Sequence, residues 1–336
     1  MSEVKLEDIV SLCKRRGFIY PGSDVYGGLS GTWDYGPLGV QLKRNILNLW
    51  WKTFVDDRDD MLGVDAAILM NQKVWQASGH VDTFTDPLVE CSNCNSRFRE
   101  DKIDTSKCPT CGESNTFGEP RQFNMMLKTN VGPVDDEGSI TYLRPETAQG
   151  IFTNYKNVVD SFYPDMPFGI AQQGKAFRNE ISPRDFVFRS REFEQMEIEY
   201  FVHQDNWEKE FEKWVKDIEE FLKQLGLQDD KVSKLEVPES DRAHYSKRTI
   251  DFEFDFPIGK EELLGLAYRT DFDLQNIQRV SGKNMEYRPK DGGDPYVPHV
   301  IEPSFGLERA IMAVLTSAHT EDEVNGDQRT YLKLPN

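Results

Sequence analysis

At 336 residues the chain is long enough for one large domain with insertions or for two modest ones, and 38% hydrophobic with 12% aromatic residues can fill a substantial core. A formal net charge of −18 argues against non-specific nucleic-acid binding, which needs Lys and Arg to meet phosphates, but it leaves room for a local basic surface. No run approaches the roughly eighteen apolar residues of a membrane span, and the charged N-terminus MSEVKLEDIVSLCKRRGF lacks the apolar core of a signal peptide, so the expectation is a cytoplasmic protein.

The spacing predicts a first helix over about Lys5 to Arg16, with Cys13 a small buried hydrophobe on its apolar stripe. The glycine-rich stretch from Pro21 to Gly39, PGSDVYGGLSGTWDYGPLG, carries embedded aromatics, which suggests backbone packed closely against something rather than a flexible linker. Pro37 opens a second helix whose stripe of Leu38, Leu42, Ile46, Leu49, Trp50 and Phe54 suits either a core or a subunit interface.

Residues 91–120 form a polar module with a CxxC at each end. Cys91 and Cys94 are separated by thirteen residues from Cys108 and Cys111. Two such pairs can each supply two thiolates to a tetrahedral Zn²⁺, closing a structural site with no open position for catalysis. Iron in place of zinc is the neighbouring option, and disulfides are disfavoured in the cytoplasm. A zinc ribbon alone would also fit a nucleic-acid-binding module.

Gly174 to Phe201 reads as strand, loop, strand. Period two puts Arg178 and Glu180 on one face of the first strand, and Phe193, Gln195 and Glu197 on one face of the second. Sheet faces rarely bury such groups without partners. The stretch from Gly169 to Arg191 carries Lys175, Arg178, Arg184, Arg189 and Arg191 against Glu180 and Asp185, a local +3 in an acidic chain. An anionic substrate is the simplest reason, and a solvated turn the bland one.

From Trp207 to Leu225 an amphipathic helix is expected, inside a helical insertion over 203–247. Thr249 to Phe256 alternates strictly and reads as a strand. In Gly259 to Leu274, Glu261 and Glu262 could hold Mg²⁺ between phosphates or could simply be exposed. A strand ending in Glu302 and Ser304 turns at Gly306 into a helix, which puts Arg309 in the first turn. The helix dipole disfavours a cation there, so an anion bound nearby is one explanation and an ion pair with Glu308 or Glu302 the other. Alternating strands with flanking helices and few parallel-sheet signals predict an α+β fold built on an antiparallel sheet.

Together these pieces resemble the class II aminoacyl-tRNA synthetase core: Pro37–Val55 its motif 1 helix, the Arg178–Tyr200 hairpin its motif 2, and Pro298–Leu315 its motif 3. Within that class the resemblance is to the glycyl-tRNA synthetases of the α₂ type. It is carried by GGLSGTWDYGPLG at 27–39, LRPETAQGIF at 143–152, RNEISPRDFVFRSREFEQME at 178–197, LGLAYRTDFDL at 264–274 and VIEPSFGLER at 300–309. The four-cysteine insertion matches members of that family too.

The resemblance implies a glycine–tRNA ligase: glycine's carboxylate attacks the α-phosphate of ATP, pyrophosphate leaves, and the 3′ end of tRNA(Gly) takes the glycyl group. It implies that Arg178 holds the α-phosphate and the reacting carboxylate, that Arg309 holds the γ-phosphate, and that Glu262 ligates Mg²⁺. Phe193 would stack under adenine, Glu180 would approach its amino group, and Arg189 would lie against the phosphates. Asn179, Phe188, Arg191, Leu263 and Gly306 complete the implied ATP contacts. For glycine it implies Glu146, Glu197, Glu302 and Ser304 around the ammonium, with Arg99, Phe193, Gln195 and Gly306 beside them. Carboxylates attract the small cation and leave little room for a Cβ. His80, His203, His244, His299 and His319 are expected to be structural or on the surface.

The implied organisation is catalytic core over 1–90, the zinc ribbon over 91–120, core again over 121–202, the helical insertion over 203–247, and core over 248–320. A linker over 321–336 would lead to an anticodon-binding domain that is absent here. A homodimer with no membrane association is the implied assembly. Two alternatives stand beside this: a paralogue forming adenylate or dinucleoside polyphosphate without charging tRNA, and a zinc-ribbon regulatory protein with an inactive core.

Overall fold

The computed structural model describes residues 4–134 and 136–335; Met1–Glu3, Asp135 and Asn336 lie outside the described residues. The central sheet has seven strands: β1 (Met61–Gly63), β2 (Phe168–Phe177), β3 (Glu192–Val202), β4 (Val232–Glu236), β5 (Arg248–Phe256), β6 (Gly259–Thr270) and β7 (His299–Gly306). Their spatial order is β4-β5-β6-β7-β3-β2-β1. All neighbours run antiparallel except β1, which pairs parallel to β2. The expected α+β antiparallel sheet is therefore present, with one short parallel strand added at its edge.

Alternation builds the core. In β5, Ile250, Phe252, Phe254 and Phe256 are buried, as period two requires of a half-buried strand. Central β3 is buried on both faces over most of its length. Its Met196, Ile198, Tyr200 and Val202 pack in one cluster beneath three helices: α2 (Pro37–Trp51), α4 (Trp207–Gln224) and α6 (Leu307–Ala318). Leu42, Ile46 and Trp50 of α2 reach this core, and a wider turn over Lys52–Asp56 delivers Phe54 to rings of Trp214, Phe221 and Phe305 at 5.1–5.7 Å between centroids. Leu38, at the start of the same predicted stripe, is exposed.

The other sheet face is covered only in part. Helices α3 (Ala148–Phe162) and α5 (Phe272–Ser281) cover its β1 end, where Phe152, Tyr155, Phe168, Phe201 and Leu274 form a second cluster. Phe193, Gln195, Glu197 and Glu199 share this face of β3, so the uncovered part presents polar groups.

Helix α1 (Leu6–Arg16) buries Ile9, Leu12 and Cys13, the last fully. The glycine-rich segment packs as closely as its composition suggests. A Cβ on Gly39 would sit 1.9 Å from the Phe18 carbonyl oxygen, and one on Gly31 would sit 2.6 Å from Pro183.

Three segments fold differently from expectation. Residues 203–247 are joined to the core: α4 buries Phe211, Trp214, Ile218 and Phe221 in the main cluster, and β4 is an edge strand of the sheet itself. The polar tail forms a hairpin of His319–Val324 with Asp327–Leu332, whose Leu332 packs on the core. Finally, β2 ends at Phe177, so Arg178 and Glu180 lie just beyond the strand. The Asn179 N–H leaves the β2–β3 ladder to bond the Met125 carbonyl at 2.8 Å.

Candidate active site

Over the uncovered sheet face lies a cavity of about 360 Å³, within the usual range for a small-ligand site. Its floor is Phe193 and Gln195 of β3, Leu264 of β6, and Ser304 and Gly306 of β7. The loop between β2 and β3 supplies Arg178, Glu180, Phe188 and Arg189. Asp185 and Phe186 hold that loop's short turn with φ of +60° and +58°. The far walls are Phe84 and Asp86, Arg99 from the cysteine module, and Glu262 and Arg309.

The basic side chains differ in how they are held. Arg178 donates from Nε to the Pro145 carbonyl at 3.1 Å, and its guanidinium lies between the rings of Phe84 and Phe193, 5.5 and 5.2 Å from their centroids. Among the described residues no carboxylate pairs with it at ion-pair distance. Arg309 falls at the third position of α6, as its spacing predicts, over the Phe188 ring at 4.5 Å. It pairs with Glu262 at 3.0 Å, which is neither of the carboxylates expected as its alternative partners. Arg189 lies 3.3 Å from Glu180, and Arg99 3.1 Å from Asp86.

Arg191, among the implied ATP contacts, does not line the cavity. Its guanidinium donates to the carbonyls of Ser30 at 2.8 Å and Glu180 at 3.1 Å, tying the loop to the glycine-rich segment. Asn179 is likewise outside the lining, next to Glu180.

Behind Gln195 and Ser304 the cavity gives way to buried acids. Glu197 accepts from the hydroxyls of Thr147 at 2.5 Å and Ser304 at 2.8 Å. Glu302 pairs with the buried Arg269, whose Nε and Nη2 also hold Asp273 at 2.8 and 2.9 Å. Gln149 donates to Asp273 at 2.9 Å. Glu146 lies 3.3 Å from His80.

Electrostatics divide these acids. Burial would raise Glu146, but His80, Arg269 and Arg178 outweigh it and hold the group at about 2. Burial, with Glu197 and Glu146 adding to it, lifts Glu302 to about 8 against the pull of Arg269. Burial and then Glu146 raise Glu197. Glu199 is fully buried on the same face, and burial pushes its carboxyl well above the usual range. Too many carboxyls converge here for all to ionise, and a small cation arriving among them would be welcomed.

The sequence assigned no role to His80, Thr147, Arg269 or Asp273. A cue existed for one pair: Arg269 and Asp273 stand at an i, i+4 spacing just after the apolar start of LGLAYRTDFDL. Nothing in the chain marks His80, whose partner lies in a distant segment.

The cysteine module folds as a three-stranded sheet of Thr85–Glu90, Arg97–Arg99 and Arg121–Asn124 with both CxxC turns at one end. In each turn the residue after the second cysteine takes a positive φ, Asn95 at +58° and Gly112 at +76°, which Asn and Gly tolerate. The four Sγ atoms lie within 4.8 Å of one another, and the Cys91–Cys111 and Cys94–Cys108 pairs are both at 3.7 Å. Tetrahedral zinc thiolates stand about 3.8 Å apart, and a disulfide would need about 2.05 Å, so the donor set fits a metal. The module delivers Arg99 to the cavity wall.

The chain is similar to known proteins. A family model described as "tRNA synthetase class II core domain (G, H, P, S and T)" matches residues 128–318. The glycine–tRNA ligase of Borrelia hermsii is 47% identical over 336 residues, covering 98% of this chain and 76% of that protein. The glycine–tRNA ligases of Cutibacterium acnes and Streptomyces coelicolor are 46% and 45% identical, covering 98% and 99% of the chain and 75% and 78% of theirs. The chain thus spans about three quarters of the length of these relatives. Among solved structures, Giardia lamblia prolyl-tRNA synthetase in complex with prolyl-adenylate is similar with a TM-score of 0.66 at 13% identity, over 93% of this chain and 52% of that one. That likeness speaks for the fold alone.

Proposed function

The chain belongs to the glycine–tRNA ligase family of class II aminoacyl-tRNA synthetases, and from that premise we propose how its pocket divides the work. Its activity is that of a glycine–tRNA ligase: glycine and ATP give glycyl-adenylate and pyrophosphate, and the glycyl group then passes to the 3′ end of tRNA(Gly). The observation that carries the division of labour is a single cavity with arginines at one end and buried acids behind the other.

Arg178 stands between the two ends. It holds the carboxylate of glycine against the α-phosphate, supplying position and charge rather than acid–base chemistry. Phe193 stacks on adenine, and Glu180 approaches its amino group. Arg189 and Arg309 take the outer phosphates, and each must exchange its present carboxylate partner for them. Glu262, released from Arg309, would hold Mg²⁺, which offsets phosphate charge when bound. Glu146, Glu197, Glu302 and Ser304 receive the ammonium. Arg99 closes the wall on the far side.

A second copy of the chain and a compartment complete the reading. With Tyr20, Val25, Tyr26, Leu29 and Leu38 exposed around the glycine-rich segment and α2, this side forms the interface of a homodimer. The cytoplasm is the place of work, where tRNA and translation are found. No described helix is long and apolar enough to cross a membrane.

The test is glycine-dependent pyrophosphate exchange together with tRNA(Gly) charging by this chain. Both are expected, and Arg309→Ala should cut exchange by about 10²-fold without moving the unfolding midpoint. Retained exchange in that variant contradicts the phosphate role. Exchange without charging returns the chain to the adenylate-only alternative, and no exchange with any amino acid sinks both.

Zn²⁺ is our choice for the cysteine site. Metal analysis of the purified chain should find about one zinc per chain. Cys108→Ser should lower that content, open residues 91–120 to proteolysis, and weaken exchange through Arg99. A metal-free chain with a protease-resistant module would rule the zinc out.

A further inference from the structure

Arg309 sits where the helix dipole works against it, in the first turn of α6. Its own contacts, with Glu262 and the Phe188 ring, are ones that bound phosphates would disturb. Something else must fix that turn, and the residue before it carries the contacts to do so. Successive helical residues diverge by about 100°, so Glu308 leaves the axis in another direction from Arg309.

Glu308 is buried and accepts two hydrogen bonds. The Glu194 backbone N–H donates to Oε2 at 2.9 Å, and the Tyr35 hydroxyl donates to Oε1 at 3.1 Å. Both partners are themselves held. The Glu194 side chain pairs with Lys43 of α2, and the Lys43 ammonium lies 5.1 Å from the centroid of the Tyr35 ring. The contacts close a ring through the segment just before α2, α2 itself, the start of β3 and the first turn of α6. Each hydrogen-bond donor in the ring meets a carboxyl oxygen, and the two bonds to Glu308 oppose the burial that lifts its carboxyl to about 7. Burial, then the neighbouring Glu308 carboxyl, pushes the Tyr35 hydroxyl well above its usual range and keeps it a donor.

We propose that Glu308 and Tyr35 are positioning residues for Arg309, their hydrogen bond clasping the first turn of α6 to the segment that opens α2. Neither group touches the reacting atoms. The clasp rests on the assignment of Arg309 to the outer phosphates, and it specifies ATP capture rather than glycine capture.

The experiment is steady-state pyrophosphate exchange by Tyr35→Phe, Glu308→Gln, their combination and Arg309→Ala, with KM measured separately for ATP and glycine. Tyr35→Phe and Glu308→Gln should each raise KM for ATP about five- to tenfold, leaving KM for glycine in place and lowering the unfolding midpoint by no more than a few degrees. The double variant should be no worse than the worse single one, because both changes act on the one contact between the Tyr35 hydroxyl and the side chain at 308. Three results overturn the clasp: unchanged KM for ATP, effects that simply add, or a lowered midpoint with both KM values intact, which is what a merely structural bond would give. If Arg309→Ala leaves exchange untouched, the phosphate assignment itself falls. If Arg309→Ala is damaging while the other variants are silent, only the clasp does.

Discussion

Arg178→Ala is expected to reduce glycine-dependent pyrophosphate exchange by about 10³-fold in kcat/KM, the largest loss of any single arginine in the cavity. The reason lies in how the cavity's arginines are held. Arg189 and Arg309 already pair with Glu180 and Glu262, so part of what they offer ATP is spent breaking those pairs. Arg178 has its plane set by Phe84 and Phe193 and one N–H fixed by the Pro145 carbonyl. Its remaining donors are aimed before the ligand arrives, and preorganised donors lose least on binding. Arg178→Lys should still lose about 10²-fold, since an ammonium cannot reproduce a planar two-pronged contact or the ring sandwich. Neither change should shift the unfolding midpoint by more than a few degrees, because no ion-pair partner is stranded. Exchange within tenfold of the parent for Arg178→Ala would remove this residue from the reaction.

How much of this was legible in the chain depends on how far apart the cooperating residues lie. Local rules sufficed for β5, whose four alternating aromatic and aliphatic residues are all buried, and for α4 with its stripe at helical spacing. They sufficed for the cysteine module too, because two CxxC turns specify their geometry almost alone. They did not place Arg191, which looked like an anion ligand by its company. Its destination was set by the carbonyl of Ser30, in a segment nowhere near it in sequence. The same limit hid the His80–Glu146 pair and the parallel pairing of β1, both long-range events that leave no periodic trace. The resemblance implies a linker for the tail, yet backbone pairing across Asn325–Gly326 needs only a turn with positive φ at both positions. The acids behind the cavity were visible one by one. The resemblance already implies Glu146, Glu197 and Glu302 crowded about one ammonium; that Glu199 joins them follows only from the pairing of β3 with β7.

That crowding makes Arg269 the strongest single support of the amino-acid end. Arg269→Met, a replacement of similar reach, would leave Asp273 and Glu302 buried without their cation, beside Glu197 and Glu199. Breaking a buried pair in this way costs about 3–5 kcal/mol, so the unfolding midpoint at neutral pH should fall by roughly 5–10 °C. The pH dependence identifies the cause. Burial lifts Glu302 to about 8 even with Arg269 present, against about 4.3 for an unfolded glutamate. A group raised on folding contributes stability that is full below its unfolded value and is lost as pH rises through its folded one. Without Arg269 the folded value rises further, so in the variant the loss continues above pH 8, where the parent's has ended. The midpoint gap between parent and variant should therefore be wider at pH 9 than at pH 7. An equal gap at both would mean that Arg269 matters for its packing between the rings of Tyr245, at 3.8 Å, and Phe152, at 5.3 Å, and not for its charge. KM for glycine in the variant gives an independent reading. Glu302 freed from Arg269 takes up a proton more readily and offers less charge to the ammonium, so KM should rise at least tenfold while KM for ATP stays within about twofold.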